Sequence, residues 1–329
     1  MKKLINNPNN VVTEMLEGIA ITNSDVIYHN SFNVISRKNK IEKVGIVSGG
    51  GSGHEPAHAG YVGKGMLDAA VAGNVFASPS ADKIIKGIKE ADTGKGVLLV
   101  IKNYSGDVMN FEMAKEFAEM EGINVKSVVV RDDVAVPDST YSTGRRGIAG
   151  TIFVHKIAGA KAEDGGTLEE VFNIAQKTIT NVRSMGIAMS SCILPGVGKP
   201  GFILQENEVG IGIGIHGEPG IEKTNIKTAK ETVNILGNKI LEDMDYTNSE
   251  VSVIINGMGA TPIMELYIIA KELDLFLKEK NIIPFRYFVG NFMTSLEMAG
   301  CSISLLKLDD ELKRMIDAPC NTTGLKVGI

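Results

Sequence analysis

Apolar runs separated by helical stretches constrain this chain more than any other feature. Residues 43–47 are apolar after Lys43 and run through Ser48 into Gly49-Gly50-Gly51-Ser52-Gly53. Residues 97–101 form a second run and give way to Lys102-Asn103-Tyr104-Ser105-Gly106-Asp107. A helical stretch over 109–120 then leads to a third run at 125–130. Strand, loop, helix and strand at this spacing predict βαβ crossovers and a parallel sheet, because parallel neighbours need a long connection. A helix near 167–183 and the apolar stretch 186–192 close this half.

The second half follows another pattern. Residues 209–215 alternate Val-Gly-Ile-Gly-Ile-Gly-Ile, the period of an extended strand whose glycines permit close approach on one face. A helix is expected around 227–243, strands at 250–255, 285–289 and 302–308, and a helix ending near 280. Pro195-Gly196-Val197-Gly198-Lys199-Pro200 marks the break between halves. The fold class is therefore α/β with two domains. Residues 1–190 are an open, mostly parallel sheet flanked by helices, carrying the glycine-rich loop. Residues 191–329 are a smaller α+β sheet domain.

Composition narrows the class. The chain has 329 residues, enough for two domains, and 43% of them are hydrophobic. No apolar run approaches the roughly 18 residues of a membrane span. The start, Met1-Lys2-Lys3-Leu4-Ile5, lacks the apolar centre of a signal peptide. Cys192, Cys301 and Cys320 are far apart and without CxxC spacing, which argues against a disulfide framework or a zinc site and for a cytoplasmic setting. A net charge of −5 without a basic run argues against a nucleic-acid binder.

Five segments can carry chemistry. In Ser48-Gly49-Gly50-Gly51-Ser52-Gly53-His54-Glu55-Pro56, absent Cβ atoms let backbone N–H groups converge on a small carbonyl-bearing or anionic ligand. A tight strand-to-helix turn is the plainer reading. A nucleotide is excluded by chemistry, since Gly53-His54-Glu55 stands where a phosphate loop needs Gly-Lys-Ser/Thr. Lys102 to Asp107 lies at the carboxyl end of a strand, where open parallel sheets gather ligands. Asp107 can serve there as general base and Lys102 as a charge or an oxygen-orienting group, although such loop residues are usually solvated. His216, in Gly210-Ile211-Gly212-Ile213-Gly214-Ile215-His216-Gly217-Glu218-Pro219-Gly220, is either structural or an accessible imidazole whose tautomer Glu218 holds. Arg145 and Arg146, in Ser142-Thr143-Gly144-Arg145-Arg146-Gly147, read as a charged helix start more readily than a phosphate site. Asn256-Gly257-Met258-Gly259-Ala260-Thr261-Pro262 is a ligand-facing strand end or a plain turn.

In this order, these segments and the ending near Asp317-Ala318-Pro319 resemble the dihydroxyacetone-binding subunit of the dihydroxyacetone kinase family over nearly the whole chain. The resemblance implies that His216 forms a hemiaminal with the carbonyl carbon of dihydroxyacetone. It implies that Gly50, Gly51, Ser52, Gly53, His54, Lys102 and Asp107 bind the substrate, with Asp107 as base and His54 assisting. It also implies a cytoplasmic homodimer that binds no metal or nucleotide itself. ADP or ATP with magnesium is expected on a separate small partner subunit, recharged from phosphoenolpyruvate through a phosphotransferase relay. Two features support that expectation: the chain stops at Ile329, and Asp243-Met244-Asp245 is followed by Tyr246-Thr247 rather than by a glycine-containing aspartate pattern. The competing implication is a sugar-sensing co-activator paralogue that keeps His216 and binds a transcription regulator. No membrane or nucleic-acid partner is expected.

Overall fold

A computed structural model describes residues 2–137 and 144–328 of the chain. Ser142 and Thr143, expected beside the arginine pair, lie outside the described residues. The chain forms two compact units.

The first unit takes in residues 1–130, 151–180 and 311–329. Its strands are β1 (Val26–His29), β2 (Val34–Arg37), β3 (Gly45–Ser52), β4 (Ala69–Val75), β5 (Val97–Lys102) and β6 (Val125–Val130). They lie in the order β1-β2-β4-β3-β5-β6, with β4, β3, β5 and β6 mutually parallel and β1 and β2 antiparallel at the edge. Helices α1 (Val11–Thr22), α2 (Ala81–Ala91), α3 (Ser105–Met120), α4 (Thr151–Glu163) and α5 (Leu168–Asn181) accompany the sheet. Side-chain alternation sorts the strand residues onto two faces. Val97, Leu99 and Ile101 pack with Ile84, Ile88, Phe111 and Ala114 of α2 and α3. Ser48, of the opposite parity, lies one ring away from His155 of α4. With both faces covered, β5 reads as an unbroken apolar run rather than an alternation, as the sequence reading required.

The second unit takes in residues 131–150 and 181–310. Its sheet also has six strands: β7 (Val182–Ala188), β8 (Glu208–Ile211), β9 (Glu222–Asn225), β10 (Glu250–Gly257), β11 (Ile283–Gly290) and β12 (Gly300–Lys307), in the order β11-β10-β12-β7-β8-β9. Only β10 and β11 pair in parallel. Helices α6 (Ala229–Asp243) and α7 (Ile263–Glu279) cover one core, in which Val233, Leu236, Ile240, Leu266, Leu273 and Leu277 meet Val251, Val253, Ile303 and Leu305. A last helix, α8 (Asp310–Asp317), leads back into the first unit.

A single cut at residue 190 does not describe this partition. Strand β7 is zipped antiparallel to β12 from Val182↔Leu306 to Ala188↔Gly300, so the second unit begins before that point. The chain end returns to the first unit, where Lys156 of α4 donates to Met315 O at 2.6 Å and Gly324 N to Gly60 O at 2.8 Å. Three local expectations also change. The glycine segment is no loop: β3 runs through it to Ser52, pairing Gly49, Gly50 and Gly51 with Val71, Ala72 and Gly73. Asp107 lies in the first turn of α3, where a carboxylate is favoured by the helix dipole. The alternating stretch 209–215 is strand only to Ile211, because Gly212 turns the chain with φ +73°.

Candidate functional site

The first unit brings together most of the residues expected around the glycines. Lys102 ends β5 and Asp107 opens α3, and both side chains are buried, with Lys102 Nζ 3.7 Å from Asp107 Oδ2. Gly50 faces this pair. At φ +152° it has a backbone that side chains rarely adopt, and a methyl group there would sit 2.8 Å from Lys102 Nζ and 3.2 Å from Asp107 Oδ2. Asp107 Oδ1 has no hydrogen-bond partner among the described residues, a costly state for a buried oxygen unless a donor arrives from elsewhere. Ser52 donates to Gly73 O at 2.8 Å, and Gly53 N–H donates to the Glu55 carboxylate at 3.0 Å.

His54 is fully buried, its ring stacked on Phe76 at 5.1 Å and 14°. Phe76 is held at φ +56°, a left-handed conformation that costs a bulky residue about 1–2 kcal/mol, with its N–H bonded to Ser52 O at 3.0 Å. The strain is stored where it sets the face of the expected catalytic histidine. Beside Ser48 of the same strand lies a histidine pair that sequence reasoning missed. His58 Nδ1 is 3.0 Å from His155 Nε2 and 3.3 Å from Ser48 Oγ, whose hydroxyl donates to Val100 O at 2.7 Å. Burial first, then the charge of Lys102, lowers His155 to about 3 and His58 well below the ordinary imidazole range. The spacing His54-x-x-x-His58 was a signal for one member. Nothing in the sequence pointed to His155, in the middle of a helix.

The second unit carries His216, on the turn between β8 and β9. The turn is closed by Gly214 N to Glu218 O at 3.1 Å and Gly217 N to Gly214 O at 3.0 Å, with Gly217 at φ +83°. Glu218 accepts from the His216 backbone N–H at 2.9 Å and from its ring Nδ1 at 2.8 Å. Burial alone would raise the Glu218 carboxyl. The His216 ring, through a hydrogen bond and, when it is protonated, its charge, together with backbone N–H groups, brings it down to about 2. An ionised carboxylate only accepts, so Nδ1 carries the proton of the neutral ring and Nε2 keeps its lone pair. The ring is partly exposed, as a nucleophile for a small molecule must be.

Two other expected features resolve differently. Arg145 and Arg146 do not start a helix, since α4 begins at Thr151, and both are buried in ion pairs. Arg145 is bidentate to Asp243 at 3.0 and 2.6 Å, and Arg183 also pairs with Asp243. Arg146 pairs with Asp133 at 2.7 Å. In the 256–262 segment, Asn256 accepts from Phe292 N and Met293 N, both at 2.9 Å, and Thr261 both donates to and accepts from Gly300. These side chains pin the backbone, which favours the plain turn.

The chain matches the family model of the Dak1 domain over residues 17–324. It belongs to the Dak1 domain family. The Dak1 chain is 51% identical to the "PTS-dependent dihydroxyacetone kinase 1, dihydroxyacetone-binding subunit DhaK" of Listeria innocua, over 94% of this chain and 95% of that one. Among solved structures, it superposes on the native dihydroxyacetone kinase of C. freundii with a TM-score of 0.93 at 35% identity, covering 99% of this chain and 60% of that one. It superposes equally on a dihydroxyacetone kinase operon co-activator, with a TM-score of 0.92 at 36% identity, over 96% and 99% of the two chains. Among the described residues, no helix of the Dak1 chain is long and apolar enough to cross a membrane.

Proposed function

We propose that this chain is the dihydroxyacetone-binding subunit of a phosphoenolpyruvate-dependent dihydroxyacetone kinase and that it holds the sugar as a hemiaminal on His216. One observation carries the reading: the Glu218 carboxylate grips Nδ1 of His216 at 2.8 Å and leaves Nε2 as the nucleophilic atom. The Nε2 lone pair forms a bond to the ketone carbon, and the carbonyl π pair moves to oxygen, which takes up a proton. The Nδ1 proton is lost to solvent while Glu218 stays ionised at its low pKa, so one whole sugar is added and no water leaves. Glycerol has no carbonyl and cannot react, which gives a discrimination that hydrogen bonds to similar hydroxyls would not supply.

Asp107 is the proposed base toward the sugar hydroxyl as that oxygen attacks phosphorus. Its buried Oδ1 is open to a donor, and Lys102 balances its charge. Backbone groups of Gly50, Gly51, Ser52 and Gly53 would hold the hydroxyls, with His54 as hydrogen-bond partner or acid/base. The phosphoryl group would come from ADP or ATP with magnesium on a separate subunit, as the wording "binding subunit" in the Listeria relative's name supports. That arrangement leaves this chain to position the acceptor oxygen. A cytoplasmic homodimer completes the proposal, and sedimentation is its check.

Protein soaked in dihydroxyacetone should gain the mass of one sugar, and His216→Ala should gain none. An adduct lighter by one water would indicate a lysine Schiff base and overturn the histidine assignment. The likeness to an operon co-activator carries a second reading, a sugar sensor that binds a transcription regulator. Reconstituted turnover from phosphoenolpyruvate that disappears in Asp107→Asn favours the kinase. An adduct without turnover favours the sensor.

A further inference from the structure

The turn that bears His216 is poor in side chains able to fix it. Glycine occupies positions 210, 212, 214, 217 and 220, and glycine surrenders more backbone freedom on ordering than any other residue. The turn is nevertheless gripped at Gly212 from two directions. Its N–H donates to Gly186 O of β7 at 2.7 Å, and its carbonyl accepts from Arg146 Nη2 at 2.7 Å. Arg146 is itself fixed. Its Nε donates to Asp133 Oδ2 at 2.8 Å, and Asp133 N–H donates back to Arg146 O at 3.1 Å. The other Asp133 oxygen is tied to Ala135 N–H at 3.0 Å.

The remaining guanidinium nitrogen lies along the turn. A methyl group placed on Gly214 would sit 2.6 Å from Arg146 Nη1 and closer still to Glu218 Oε2. Arg146 and Glu218 thus share the space left by the missing side chain at Gly214, and Glu218 is the residue that holds the imidazole. A buried ion pair is a costly way to fill a core, and apolar residues of equal volume often serve stability as well. What apolar residues lack is a donor in fixed fork geometry for a backbone carbonyl.

We propose that Arg146 is a positioning residue for His216: anchored on Asp133 and bonded to the Gly212 carbonyl, it holds the glycine turn so that Glu218 and the imidazole keep one orientation. The inference rests on the reading of His216 as the covalent residue. It goes beyond that reading in assigning the arginine motif to the nucleophile and not to phosphate.

The test uses three full-length variants: Arg146→Gln, Arg146→Lys and the double variant Asp133→Asn/Arg146→Gln, which leaves no unpaired buried charge. Two quantities are measured on each folded protein. One is the dihydroxyacetone concentration giving half-maximal adduct by mass spectrometry. The other is the long-range proton–nitrogen NMR pattern of the His216 ring. Half-saturation should rise about tenfold or more in the glutamine variants, while saturating sugar still yields the full-mass adduct. The ring should pass from a single Nδ1–H form to a mixture of tautomers, with Arg146→Lys intermediate. Unchanged half-saturation and an unchanged ring pattern in any folded glutamine variant would overturn the inference. If the wild-type protein forms no adduct, the covalent reading fails by itself. The ring pattern alone then decides: altered nitrogen signals uphold the positioning role, and identical signals remove it.

Discussion

Glu218 contributes two acceptor oxygens to one residue, binding the backbone N–H and the ring Nδ1 of His216 together. Glu218→Gln keeps the size but loses the ionised acceptor, so both tautomers become accessible to the ring. Adduct formation followed by mass should slow by about tenfold, with the final adduct mass unchanged. At the other group of residues, Gly50 leaves no room for a side chain beside Lys102 and Asp107. Gly50→Ala combines a strained φ with a contact against a buried charge pair. Turnover in the reconstituted system should fall by about two orders of magnitude, while a His216 adduct still forms. An alanine variant that turns over normally would show that the sugar hydroxyl does not approach this pair. Residues of this kind were legible in the sequence because they cluster in short glycine-rich segments. Phe76, His155 and Asp133 were not, since each acts through a contact made across the fold.

Periodicity located β5, β6, α5, α6, β10, β11 and β12 to within about two residues, and left α1, β1, β2, β4, α2, α4 and α8 without an assignment. The run at 97–101 became β5, where both faces of the sheet are covered and every position of the run is apolar, whereas β6, at the sheet edge, admits Lys126 and Ser127. What composition mimicked was loop: the glycines of β3 look like a turn, yet they are strand. The neighbouring chain comes so close that a Cβ on Gly51 would meet Ala77 N at 2.6 Å. The alternation at 209–215 mimicked strand in turn, because period two says nothing about the sign of φ at Gly212. Helix α6 shows what an exposed cap contributes. Thr228 accepts from Glu231 N at 3.3 Å, and Glu231 accepts from Thr228 N at 2.9 Å. Thr228→Ala should lower the unfolding free energy in urea by about 1 kcal/mol and leave turnover unaffected.

For the whole molecule, the buried histidines set an acid limit. His155 sits at about 3 in the folded chain, against an ordinary 6.5, chiefly through burial. The unfolded chain therefore binds a proton that the folded one refuses. The stability is complete above pH 6.5 and is lost as pH falls through the window toward 3. By pH 5 the loss from His155 amounts to about 2 kcal/mol. His58 acts in the same direction. Asp133, raised to about 6 by burial against the pull of Arg146, acts oppositely: its contribution is complete below 3.8 and is lost as pH rises through 6. Urea midpoints at pH 7 and pH 5 should differ less in His155→Gln than in the parent chain. Equal differences would show that His155 is not neutral and buried as described.

The sequence by itself determined the fold class, the strands and helices with clear apolar periodicity, and the candidate residues, because strand period, apolar runs and glycine placement are local properties of the chain. Tertiary structure alone decided where the chain crosses between units, that glycines 49–51 form strand, and that Arg145 and Arg146 are buried. It also decided which oxygen holds the His216 ring. The physical reason is common to these. Burial and hydrogen-bond partnership come from residues far apart in sequence, such as Asp133 with Gly212 across Arg146, and no local pattern records which partners the fold will bring together.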